Sequence, residues 1–112
     1  MEALIRARRI AAQQFGDAPH ELLLTIDLAM NALHNGSKGE ALNELNRADK
    51  IVKQNKLEEW EAEMSAAWAV YYFHTGDERQ MYEAIIYAQR REPENKRIAD
   101  LKQVLMEKGE NG

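Results

Sequence analysis

An all-α fold is predicted by three features of the sequence. Apolar residues recur at intervals of three and four, and no run alternates with the period of two that a half-buried strand needs. A helix–turn–helix unit occurs twice in register. Leu28, Ala29 and Ala32 precede Gly36 as Trp68, Ala69 and Tyr72 precede Gly76, and Ala41, Leu45 and Ala48 follow the first glycine as Met81, Ile85 and Ala88 follow the second. Such internal repetition outranks any single local signal. Stop and cap residues also stand at the joints: Gly16-Asp17, Asn35-Gly36-Ser37, Gly76-Asp77 and Pro93.

The first helix is expected over residues 2–15, with Leu4, Ile5, Ala11 and Phe15 on an apolar side and Arg6, Arg8 and Arg9 on the other. Pro19 suits the first turn of the second helix, because its missing N–H has no partner to lose there. That helix runs to about Asn35 and is apolar on more than one side. One stripe is Leu23, Ile26, Met30 and Leu33; another is Leu28, Ala29 and Ala32. A surface helix needs a single stripe, so a second one implies a central position or a waiting partner. Ser37 and Glu40 have the spacing of a capping box and open the third helix, which carries Ala41, Leu42, Leu45, Ala48, Ile51 and Val52 inward to about Gln54.

The fourth helix opens on Glu58, Glu59, Glu61 and Glu63, acids that suit the positive end of the dipole. Trp60, Met64 and Trp68 follow as an expected buried stripe. Asp77 caps the fifth helix, and Pro93 ends it. The sixth, from about Glu94, presents Ile98, Leu101, Val104 and Leu105 on one side, which suits a terminal helix that closes a core. The expected organisation is one helical domain over 1–112: an N-terminal helix over 1–16, repeat units over 19–55 and 57–93, and a capping helix over 94–108.

The two units resemble the tetratricopeptide repeat family. The residues that carry the likeness are Trp68, Ala69, Tyr72, Gly76, Ile85, Ala88 and Pro93, and Leu28, Ala29, Ala32, Gly36, Ala41, Leu45 and Ala48. The small residues let helices approach and the large ones fill the adjoining gaps. Met81 and Lys53 depart from the family's usual alanine and proline, and the glycines stand 40 residues apart against about 34 in the family. The resemblance implies a right-handed superhelix of antiparallel helix pairs, in which the first helix of each pair lines a concave groove. By register, the groove positions are Leu23, Ile26, Met30, Leu33 and His34 in the first unit. In the second they are Glu63, Ala66, Val70, Phe73 and His74. The family's clamp of lysine, asparagine and arginine for a terminal carboxylate is missing from these positions.

An apolar groove containing a methionine suits the apolar face of an amphipathic helix. The expected function is therefore non-catalytic: an adaptor or chaperone, similar in size and groove to small tetratricopeptide chaperones of bacterial secretion systems. The alternative is a self-associating homodimer. The N-terminal helix could also fill the groove itself.

Other classes are disfavoured. The three histidines form no metal-ligand motif, since Leu24 and not histidine stands four residues after His20. No Gly-rich phosphate loop or nucleophile elbow occurs, so neither an enzyme nor a bound cofactor is expected. A net charge of −4 and the lack of aromatics among the basic runs disfavour nucleic acid. The absence of cysteine, of an apolar leader and of a membrane-spanning run predicts a cytoplasmic protein with no membrane partner.

Overall fold

The computed structural model describes residues 2–111, with side chains described through Lys108. It is all-helical: α1 (Glu2–Gln14), α2 (Ala18–His34), α3 (Lys38–Gln54), a 3-10 turn (Glu58–Trp60), α4 (Glu61–Thr75), α5 (Glu78–Arg91) and α6 (Lys96–Asn111). There is no strand among the described residues. The acids at Glu58 and Glu59 thus enter a 3-10 turn, and α4 itself begins at Glu61. Asn95 sets the start of α6, its Oδ1 accepting the N–H of Ile98 at 3.2 Å.

The joints obey one rule. Residues 16, 36, 56 and 76 all have positive φ: 68°, 80°, 52° and 81°. One residue beyond each, a backbone N–H returns to a carbonyl five residues earlier. Asp17 donates to Ala12, Ser37 to Ala32, Leu57 to Val52 and Asp77 to Tyr72, at 2.8–3.0 Å. This closes the orphan carbonyls of a helix end. Three of the four positions are glycine, which adopts the left-handed region freely; the fourth is Lys56. The chain therefore turns once every 20 residues over its first four joints.

The caps follow from these turns. Asp17 accepts the N–H of His20 and Asp77 that of Gln80, both at 3.2 Å. Ser37 makes no side-chain cap, contrary to the expected capping box. The reciprocal half of the box is closed as well, because the Ser37 N–H is given to Ala32 and the Glu40 carboxylate is taken by Arg6.

Contacts divide the chain into two compact units, Met1–Glu58 and Glu59–Gly112. In the first, α2 packs against both α1 and α3. Leu22, Thr25, Leu28, Ala29, Ala32 and Leu33 of α2 are buried, as are Ala41, Leu45, Ala48 and Ile51 of α3. The Thr25 hydroxyl is satisfied within its helix, donating to the Glu21 carbonyl at 2.8 Å. The apolar side expected for α1 is not the side it buries. Leu4, Ala11 and Phe15 are exposed, whereas Arg9 and Ala12 are buried. Arg9 is accommodated because it donates to Glu44 of α3, and Arg6 beside it donates to Glu40.

In the second unit α4, α5 and α6 share a core of Ala62, Ala66, Ala69, Met81, Ile85, Ala88, Ile98 and Leu105. Ser65 crosses from α4 to donate its hydroxyl to the Ala84 carbonyl at 2.7 Å. Glu63 accepts from Asn95 and Arg97 and so fastens the start of α6. Of the expected tryptophan stripe only Met64 is fully inside; Trp60 and Trp68 are half-buried. Trp68 lies edge-on to Tyr71 and stacked on Tyr72. Met81 and Ala88 are both at or below 4% exposure, so the repeat positions serve the same inner role as Ala41 and Ala48.

Candidate interaction face

The groove positions fare differently in the two units. On α2, Leu33 is buried at 3% exposure and joins the core, so it offers nothing to a partner. Ile26 and Met30 are half-buried, Leu23 is 42% exposed, and His34 is exposed at the helix end. Exposure therefore rises across the stripe from Leu33 to Leu23. The outward line of this helix is Leu23, Asp27, Met30 and His34, successive positions four, three and four apart.

On α4 the corresponding surface turns inward. Ala66 is part of the core that contains Ile98 and Leu105 of α6, and Phe73 packs against it. Val70 is half-buried. His74 is exposed, its ring edge-on to that of Phe73 with centroids 5.6 Å apart. The sixth helix thus shares the core that Ala66 and Phe73 enter. The reason is in its sequence: Ile98, Leu101 and Leu105 lie on one side of α6 and need a cover.

Asp27 was not among the expected site residues, yet it stands at the centre of the outward line of α2. Its carboxyl is raised above the ordinary carboxylate value by partial burial, and among the described residues it has neither an ion pair nor a hydrogen bond. A stripe drawn only through apolar residues passes over it. Spacing alone would have found it, since it is four residues after Leu23 and three before Met30.

A second open surface adjoins the first. Arg8, Ala11, Ala12 and Phe15 of α1 meet Asp17 and His20, at the start of α2, around a hollow of about 320 Å³. Phe15 is 86% exposed and Leu4 51%. Arg6 and Arg9 are engaged with Glu2, Glu40 and Glu44. Arg8 has no such partner among the described residues.

Among the described residues, no group of three or more His, Asp or Glu is placed to hold a metal ion. No helix there is long and apolar enough to cross a membrane. No protein-family model matches this sequence, and no curated protein or solved structure matches it either.

Proposed function

We propose that this protein is a non-catalytic interaction module that holds an amphipathic helix against the outward face of α2. The observation that carries the reading is the combination of exposed Leu23, half-buried Ile26 and Met30, and an uncompensated Asp27 on one helix face. Apolar surface of this kind gains free energy when a partner covers it, and a methionine adapts to the shape of the cover. The carboxylate favours a partner with a cation at the matching place. The paired helices and their small crossing residues, Ala48 and Ala88, support the likeness to tetratricopeptide repeats, whose first helices line such grooves. An adaptor or chaperone role in the cytoplasm fits this reading. Within the residues expected to bind, the contact set narrows to Leu23, Ile26, Met30 and His34, with Asp27 added.

Fluorescence anisotropy of a dye-labelled model helix of leucines and lysines tests the proposal. The parent protein is expected to bind it, and Leu23→Glu to weaken binding by about 2 kcal/mol, roughly thirty-fold. Because Leu23 is 42% exposed, the variant should keep the parent's stability within about 0.5 kcal/mol. Equal binding by parent and variant, or none by a monomeric parent, refutes the assignment.

A further inference from the structure

We infer that the amphipathic helix taken by α2 is α1 of a second copy of this chain. The inference rests on the reading of α2 as a binding face and names its occupant.

The two helices present matching lines. On α1, Leu4, Arg8, Ala11 and Phe15 stand four, three and four residues apart and are all exposed. On α2, Leu23, Asp27, Met30 and His34 have the same spacing. This is the seam spacing by which two helices interdigitate, alternating steps of three and four. Each line has one charge at its second position, and the charges are opposite. Neither is satisfied within the described part of the molecule, whereas Arg6 and Arg9 already have glutamate partners. The chain thus carries one unspent cation on one apolar line and one unspent anion on the other.

Symmetry doubles the match. In a two-fold dimer, α1 of each copy lies on α2 of the other, and every contact is made twice. With the two helices antiparallel and Phe15 set against Leu23, Ala11 faces Asp27 and Arg8 faces Met30, so the long Arg8 side chain has one helical turn to span to the Asp27 carboxylate. The hollow lined by Arg8, Ala11, Phe15 and His20 carries the α1 line as far as the first turn of α2, three residues before Leu23. Exposed aromatic and aliphatic side chains next to each other mark contact surfaces.

Charge reversal tests the inference. Sedimentation equilibrium of the full chain up to about 100 µM should show a dimer. Arg8→Asp and Asp27→Arg should each weaken it at least about tenfold, because each sets like charges together. The double variant should restore it. Both residues are exposed, and far-UV circular dichroism checks that each variant stays helical. A monomeric parent overturns the inference, as does a dimer indifferent to either single change or a double variant that stays weak. A monomeric parent that still binds the leucine–lysine helix leaves the reading of α2 standing. A parent that does neither removes both.

Discussion

The buried pair Arg9–Glu44 offers the sharpest test of how α1 is held. Their side chains are only 9% and 11% exposed, and they are the charged residues buried among those described. Glu44→Ala leaves the guanidinium in its seat without the carboxylate that offset its dehydration. Removing one member of a buried pair costs about 3–5 kcal/mol. Arg9 lies on an edge helix and can swing its head toward water, so the low end, about 3 kcal/mol, is expected. That is a large part of the 5–15 kcal/mol typical of a domain. Replacing both, Arg9→Met with Glu44→Leu, should recover the parent's stability within about 1 kcal/mol or exceed it. Urea melts followed at 222 nm read the three values, and an unchanged slope shows that the unfolding unit is the same. A loss below about 1 kcal/mol in Glu44→Ala refutes the reasoning, because it shows that the pair is solvated. Salt separates this pair from its neighbour: Arg6, with side chains 41% exposed on itself and Glu40, is screened, while Arg9 is not.

Three further outcomes follow from the turns, the crossings and the outward face. Lys56→Gly should stabilise by about 0.5–1 kcal/mol, since a left-handed lysine is strained and glycine is not; an unchanged urea midpoint would show that Lys56 is relaxed at φ 52°. Ala88→Leu should cost about 1–3 kcal/mol through overpacking at a position with 0% exposure, and a variant that melts with the parent would place Ala88 outside the crossing. Asp27 has a folded pKa raised by burial, so the native state binds its proton more tightly than the unfolded chain. Stability should fall as pH rises from the ordinary carboxylate range through the raised value, and Asp27→Asn should remove that loss at pH 7. A variant with the parent's stability at both pH 7 and the acid end would show that Asp27 is fully hydrated.

Helix number, helix ends and the inner role of Leu28, Ala41, Leu45, Ile85 and Ala88 were legible because each is written locally, in spacing and in caps. The 20-residue rhythm of the turns was half visible. Gly36 and Gly76 announce it, but Lys56 has no glycine to mark it, and its left-handed backbone is imposed by the Val52–Leu57 bond. The orientation of α1 was misread for a physical reason. Leu4, Ala11 and Phe15 look like a core stripe, and the cost of burying Arg9 disappears only when Glu44, 35 residues away, is placed beside it. A similar dependence governs Ala66 and Phe73, which leave the surface once α6 supplies Ile98 and Leu105. Leu23 and His34, expected on an open face of α2, are exposed there; Asp27 between them was passed over, because charge within an apolar line reads as an interruption until its lack of a partner is known.

The principal packing within each unit joins helices that are neighbours or next neighbours along the chain: α1 with α2, α2 with α3, α4 with α5, and α6 with both α4 and α5. Turns of two or three residues link α1 to α2, α2 to α3 and α4 to α5. Closing such short loops loses little chain entropy, and structures rich in local contacts of this kind form in microseconds to milliseconds. Synthesis adds only about 5–20 residues each second. A helix pair here therefore has time to form before the next residue is joined, and most of each apolar stripe is covered by the next helix in the chain, with α4 waiting only for α6.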